Sequence, residues 1–147
     1  MKILVLNGVN LNMLGKRSAA HYGTFTLAEL NKKLVEHFAG TDISLDFKQS
    51  NHEGEIVEIL HRAADFYDAI VLNAGAYTHY SYAIRDAIEC AGLSVAEVHL
   101  SDISTREQFR KISVLEEVCC VRFYGKKADS YIEAINWLAN FHKENKK

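Results

Sequence analysis

The run Lys2-Ile-Leu-Val-Leu-Asn7, followed by Gly8, decides the fold class. Its central residues are apolar without alternation, and short continuous apolar runs are typical of strands buried on both faces of a parallel sheet. The segment from Ala69 to Asn73 has the same form, with apolar residues up to the terminal asparagine. Strands of this kind need helices on both sides, so the two runs predict an α/β protein.

Strand and helix patterns alternate along the rest of the chain. Further strands are predicted over 42–49, 94–100 and 118–124, and helices over 26–39, 50–63, 81–91, 105–109 and 129–141. Thr26 with Glu29, and Ser50 with Glu53, form capping-box signatures at two of these helices. Gly92 is placed to end the helix over 81–91. The alternation predicts a flavodoxin-like, five-stranded parallel sheet with helices on both faces.

The composition is that of an ordinary globular domain. The 147 residues predict a single domain over 1–147, and the net charge of −2 argues against a dedicated nucleic-acid binder. Without a long apolar run, the chain is expected to be cytoplasmic with no membrane partner. Cys90, Cys119 and Cys120 show no metal spacing and are interpreted as buried free thiols. The chain has no proline, which is unusual.

One connection is too long to be a simple turn. Residues 8–25 separate the first strand from its helix, whereas such loops usually have about two to six residues. Because ligands of doubly wound sheets bind beyond the carboxyl ends of the strands, we interpret residues 8–24 as an active-site lid. The other segments at that edge are 49–54, 73–81 and 99–110.

Polar side chains cluster in these segments, but each has an ordinary structural interpretation. Tyr22 could pack its loop against the sheet, and His99 could be a satisfied core histidine. Asn73 could end a turn, while arginines are most often surface ion-pair partners. No nucleotide-binding loop, nucleophile elbow or metal motif is present. From the residues alone we therefore predict acid–base chemistry on a small anionic molecule, but no particular reaction.

Five segments together resemble type II 3-dehydroquinate dehydratases. They are Asn7-Gly-Val-Asn-Leu-Asn12 with Arg17 and Tyr22-Gly23, Ser50-Asn-His-Glu-Gly54, Asn73-Ala-Gly-Ala-Tyr-Thr-His79, Glu97-Val-His-Leu-Ser101 and Arg106-Glu-Gln-Phe-Arg110. The resemblance implies a cytoplasmic hydro-lyase of the shikimate pathway or of quinate breakdown. It also implies a reaction without cofactor or metal, and a homododecamer built from trimers.

The resemblance further implies a role for each matching residue. Tyr22 would be the phenolate base that takes a proton from C2, and the cation of Arg17 would favour the phenolate. Asn10 would hold a water against the enolate oxygen. His99, oriented by Glu97, would protonate the leaving C1 hydroxyl, giving an anti elimination through an enolate.

The implied substrate-binding positions are Asn73, Gly75, Ala76, His79, Asp86, Leu100, Ser101 and Arg110. Asn73 and the backbone at Leu100 and Ser101 would bind the carboxylate, and His79 and Arg110 the ring hydroxyls. From its spacing alone, Asp86 is predicted to lie on the solvent-exposed face of its helix. In the family, however, the matching residue reaches a neighbouring subunit's site.

Several positions depart from the family pattern. Val9 and Ala19 stand where the family commonly has proline, which predicts a more mobile lid. Asp102 adds a negative charge near an anionic substrate, and Val121-Arg-Phe-Tyr-Gly-Lys-Lys127 loses two of three family glycines. These departures leave open a non-catalytic flavodoxin-like binding protein. A flavin carrier fits less well, because no phosphate loop follows the first strand.

Overall fold

Five parallel strands form one sheet in a computed structural model that describes residues 1–145. The strands are β1 (Lys2–Asn7), β2 (Ser44–Gln49), β3 (Ala69–Asn73), β4 (Ser94–Val98) and β5 (Val121–Phe123). Their order is β2-β1-β3-β4-β5, the flavodoxin-like order, so the predicted α/β fold is confirmed. Residues 146 and 147 of the predicted domain lie outside the described residues.

Helices cover both faces of this sheet. They are α1 (Ala19–Tyr22), α2 (Leu27–His37), α3 (Glu53–Ala63), α4 (Tyr82–Ala91) and α5 (Ala128–Asn145). Side chains alternate across β1, so Ile3 packs in the core beneath α2 and α5, and Leu4 packs in the core beneath α3 and α4. Within residues 1–145, no helix combines the length and apolar character needed to cross a bilayer.

The helix starts test the predicted caps. The Thr26 backbone N–H donates to Glu29 at 2.7 Å and the Thr26 hydroxyl accepts from the Glu29 N–H at 3.2 Å, so this capping box is confirmed. The box predicted at Ser50 is wrong, because His52 is the N-cap of α3. The Ser50 hydroxyl instead accepts from the His52 N–H at 3.0 Å and donates to Glu55.

The C-terminal third departs most from the predicted boundaries. β5 has three residues rather than seven, because a 3₁₀ turn over Glu116–Val118 takes part of the predicted start and the strand ends together with β4, its one partner. The predicted helix over 105–109 is replaced by 3₁₀ turns at Ile103–Thr105 and Gln108–Lys111. Cys90 and Cys120 are exposed and not buried as predicted, whereas Cys119 is half-buried and packs against the core beneath α3 and α4.

Candidate active site

A pocket lies at the carboxyl edge of the sheet, where the segments after β1, β3 and β4 meet. β1 and β3 are neighbours with Asn7 opposite Asn73, and the chain leaves them toward opposite faces. The pocket encloses about 580 Å³, its open mouth included. It is lined by Val9, Asn10, Leu11, Arg17, Tyr22, Asn73, Gly75, Ala76, His79, His99, Leu100, Ser101, Ile103, Arg106 and Arg110.

Two guanidinium groups converge on one phenol. Arg17 donates to the Tyr22 hydroxyl oxygen at 2.9 Å, and its guanidinium carbon lies 3.8 Å from the centre of the Tyr22 ring. Arg106 donates to the same oxygen at 3.3 Å and to the Ser101 hydroxyl at 3.3 Å. Two cationic side chains thus hold the Tyr22 hydroxyl oxygen at the pocket, where it can meet a ligand.

The long loop that carries Tyr22 is anchored at its start and exposed in its second half. Leu11 and Leu14 are buried in the core, which fixes the part before Gly15. Gly15 at φ +86° and Gly23 at φ +82° bracket the exposed part, and both conformations favour glycine. Within the predicted lid over 8–24, the two buried leucines therefore anchor the part before Gly15. The part between the two glycines carries no buried leucine.

His99 follows β4 directly and is almost completely buried. Its Nε2 lies 2.7 Å from Oε1 of Glu97, which is fully buried and also receives hydrogen bonds from Thr78 and Ser113. Burial raises the pKa of Glu97, but the hydrogen bonds and charge of His99 and the two hydroxyls outweigh it, so the pKa lies below its ordinary value.

An ionised carboxylate can only accept hydrogen bonds, so the proton between the two side chains belongs to Nε2 of His99. The other ring nitrogen, Nδ1, has no hydrogen-bond partner among residues 1–145. Nδ1 is therefore the atom through which His99 can exchange a proton with a ligand in the pocket that it lines.

His79 presents the opposite arrangement of ring nitrogens. Its Nδ1 lies 2.7 Å from the Ile112 carbonyl oxygen, which can only accept, so Nδ1 carries the proton. Burial lowers the pKa of His79 below its ordinary value, and the hydrogen bond to Ile112 offsets this only in part. The neutral ring therefore offers Nε2 as an acceptor, which suits a ligand hydroxyl.

Two asparagines of the pocket are held by hydrogen bonds to the protein. The Asn73 side chain donates to the hydroxyl of the buried Tyr131 at 2.8 Å, and its oxygen accepts from the Gly75 N–H at 3.1 Å. Asn10 has a left-handed backbone at φ 66°, and its N–H donates to Asn51 at 2.9 Å. The Asn73 side-chain amide is thus oriented before any ligand arrives, whereas in Asn10 the hydrogen bond fixes the backbone.

Arg110 and Arg106 share one carboxylate at the rim. Nε of Arg110 lies 3.1 Å from Glu107, and Nε of Arg106 lies 3.5 Å from the same oxygen. The Glu107 side chain is 58% exposed, so these ion pairs orient the guanidinium groups more than they stabilise the fold. Both groups keep cationic N–H donors at the pocket, which suits an anionic, hydroxylated ligand.

Most of the residues predicted for the site line this pocket. Those that do are Asn10, Arg17, Tyr22, Asn73, Gly75, Ala76, His79, His99, Leu100, Ser101 and Arg110. Glu97 lies behind His99 rather than in the wall, as an orienting role requires. Asp86 is on the exposed face of α4, away from the pocket of its own chain. Asp102 also lies outside the wall, where its carboxylate accepts from the Ser104 N–H at 3.0 Å.

Arg106 was not among the predicted site residues. It lies 84 positions from Tyr22 in sequence, and only the fold brings the two together. The available signal was its place at the start of the motif that ends with Arg110, four residues later. Within residues 1–145, no group of three or more His, Cys, Asp or Glu side chains is placed to hold a metal ion.

Comparison with known proteins agrees with this geometry. Residues 1–139 match the family described as dehydroquinase class II. The 3-dehydroquinate dehydratase of Pelotomaculum thermopropionicum is 50% identical over 139 residues, covering 95% of this chain and 96% of that protein. The enzyme of the same name from Thermotoga neapolitana is 47% identical over the full length of both chains. The crystal structure of type II dehydroquinase from Butyrivibrio crossotus superposes with a TM-score of 0.91 at 45% identity, covering 95% and 97% of the two chains.

Proposed function

Because this chain belongs to the class II dehydroquinase family, we propose that it removes water from 3-dehydroquinate to give 3-dehydroshikimate, in the shikimate pathway or in quinate breakdown. The observation that carries the proposal is one pocket that contains both a phenol between two guanidinium groups and an imidazole paired with a carboxylate. A base and an acid are the two groups that an elimination needs.

The base acts first. The Tyr22 phenolate takes a proton from C2 of the substrate, beside the ketone, and the electrons of the C–H bond form an enolate. Arg17 and Arg106 stabilise the phenolate that starts this step. Asn10 holds a water against the enolate oxygen, so that a donor already in place meets the developing charge.

The acid completes the elimination. The Nδ1 proton of the His99 imidazolium passes to the C1 hydroxyl, the C1–O bond breaks, and water leaves on the face opposite to the base. The enolate electrons form the new double bond. The enzyme is left with a Tyr22 phenol and a neutral His99, and one proton moving from the first to the second restores both groups. Glu97 stabilises the imidazolium and fixes the ring.

The remaining wall binds the substrate. Asn73 and the backbone N–H groups of Leu100 and Ser101 take the carboxylate, with Gly75 and Ala76 forming the surface beneath it. Nε2 of His79 accepts from one ring hydroxyl and Arg110 donates to another. The lid over 8–24 closes over the bound substrate between Gly15 and Gly23, which removes water from the site.

The test is a spectroscopic assay on the purified protein. 3-Dehydroquinate is converted into a conjugated enone, so ultraviolet absorbance should rise, and it should rise equally with EDTA present. Measurable substrate binding by folded protein without any turnover would contradict the proposal and favour a non-catalytic binding protein.

We also propose a homododecamer of trimers, in which Asp86 completes the pocket of a neighbouring subunit. Large apolar side chains are exposed near the mouth, namely Tyr80, Tyr82, Phe109 and Ile112 at 55–66% exposure. Asp86 lies on the same helix as Tyr82 and also faces outward. Light scattering should give about twelve times the chain mass of 16.6 kDa. Mixed assemblies of Asp86→Ala and Tyr22→Phe chains should recover activity that neither has alone.

We propose a cytoplasmic location because two of the cysteines are free and exposed. Cys90 and Cys120 are free and exposed, and exposed thiols persist in reducing compartments.

A further inference from the structure

Two hydroxyl groups behind the pocket wall contact the carboxylate that orients His99. The Ser113 hydroxyl lies 2.8 Å from Oε1 and 2.9 Å from Oε2 of Glu97, and the Thr78 hydroxyl donates to Oε1. Thr78 and Glu97 are fully buried. Neither hydroxyl lines the pocket, so neither touches the substrate.

A buried carboxylate without water needs donors from the protein to stay ionised. His99 supplies one N–H, and the two hydroxyls supply the others. If the hydroxyls were absent, a proton could rest on Glu97, which would then donate to Nε2 of His99. The imidazole would then be neutral with its only proton on Nδ1, and a neutral imidazole is a much weaker acid than an imidazolium.

We propose, on the basis of the proposed dehydration, that Thr78 and Ser113 are positioning residues that keep Glu97 an acceptor and thereby let His99 hold protons on both ring nitrogens, so that Nδ1 can release one.

The segment that carries Ser113 also orients the second imidazole. The preceding carbonyl, that of Ile112, accepts from Nδ1 of His79 at 2.7 Å. The segment is fixed by the Val114 N–H, which donates to the Thr78 carbonyl at 2.8 Å, and by the fully buried Leu115. One short stretch outside the pocket therefore sets two histidines in opposite tautomers, one to donate at Nδ1 and one to accept at Nε2.

The test compares variants that remove each hydroxyl with variants that keep it. Thr78→Val and Ser113→Ala should each lower kcat about 10- to 100-fold and leave KM within about threefold, because a hydrogen bond to a charged group is lost. Thr78→Ser keeps the hydroxyl and should recover most of kcat. The control is Ser130→Ala, which removes a buried hydroxyl that accepts from the Lys126 N–H and should leave kcat unchanged.

The second readout is the ¹⁵N spectrum of the histidines, with His99 assigned by comparison with His99→Gln. Neutral His99 should carry its proton on Nε2 in the unchanged protein and in Thr78→Ser, and become a mixture of tautomers when either hydroxyl is removed. An unchanged tautomer in both Thr78→Val and Ser113→Ala overturns the proposal, even if kcat falls. If Thr78→Val does not fold, Ser113→Ala decides alone. If the protein shows no turnover but the His99 tautomer still changes when a hydroxyl is removed, this positioning is supported and the proposed dehydration is rejected.

Discussion

The two proton-transfer groups of the pocket are supported in opposite ways. Tyr22 lies on a short helix in an exposed loop, and side-chain cations hold its hydroxyl. His99 lies directly after a central strand, and hydrogen bonds to a fully buried carboxylate hold its ring. The base side therefore depends on charges that can be screened or displaced, whereas the acid side depends on packing that is complete before substrate binds. Substitutions should affect the two sides differently.

The largest effect is expected from removing the base itself. Tyr22→Phe keeps the ring under Arg17 but loses the hydroxyl, so kcat should fall by about 10²–10⁴ while the circular dichroism and melting temperature stay unchanged. Tyr67→Phe is the matched control, because its hydroxyl contacts Asp46 at 3.2 Å, outside the pocket wall. Turnover that survives in Tyr22→Phe would assign the base to another residue.

The next effect separates charge from packing. Arg106→Gln removes one of the two positive charges beside the phenol. We expect kcat to fall about 10- to 100-fold, because a charge-assisted hydrogen bond is lost. Arg17→Gln should lose more, because its hydrogen bond is 2.9 Å against 3.3 Å and its guanidinium also contacts the ring.

The measurement is kcat for both variants beside Arg106→Lys, which keeps the positive charge without the planar guanidinium. Arg106→Lys should recover part of the kcat that Arg106→Gln loses. An equal loss in Arg106→Lys and Arg106→Gln would show that the base side is held by packing of the guanidinium and not by its charge.

A smaller effect concerns KM and the second histidine. Protonation of Nε2 would remove the acceptor that His79 offers to a substrate hydroxyl. Since burial holds the pKa of His79 below its ordinary value, KM should stay constant as the pH falls through about 6.5 and rise only below it. His79→Gln keeps an acceptor that does not titrate, so its KM should start a few-fold higher and not rise. A KM that already rises between pH 7 and 6.5 would contradict the placement.

The difference between local and long-range contacts explains what the sequence could predict. Apolar runs and the Thr26 capping box are local signals, so the strand order, the sheet faces and the start of α2 follow from them. The Ser50 box failed because the hydroxyl is used by Glu55, a competition that spacing does not reveal. β5 was too long in the prediction mainly at its start, where a 3₁₀ turn over Glu116–Val118 replaces extended backbone; at its end it stops together with β4.

In the pocket, most motif residues that face a ligand were predicted, and so was Glu97, whereas Arg106 and Ser113, which act through Tyr22 and Glu97, were not. Arg106 reaches Tyr22 across 84 positions, and Ser113 reaches Glu97 across 16. Such contacts form where loops that follow different strands meet, so the local sequence pattern does not predict them. The sequence therefore names the groups that face a ligand better than the groups that set their charge and orientation.

The smallest kinetic effect, and a gain in stability, is expected at Lys127 on the acid side. Lys127 has a left-handed backbone at φ 50°, a conformation that favours glycine. Its N–H donates at 3.1 Å to the carbonyl of Leu100, which lines the pocket. Lys127→Gly should relieve about 1 kcal/mol of backbone strain and raise the melting temperature by about 2–4 °C.

Lys127→Ala is the control, because it loses the same side chain without relieving the strain and should give no gain. Because the acid side is already fixed by buried hydrogen bonds, kcat and KM should be unchanged in both variants. A Lys127→Gly protein that melts higher but turns over more slowly would show that the strained residue takes part in positioning Leu100.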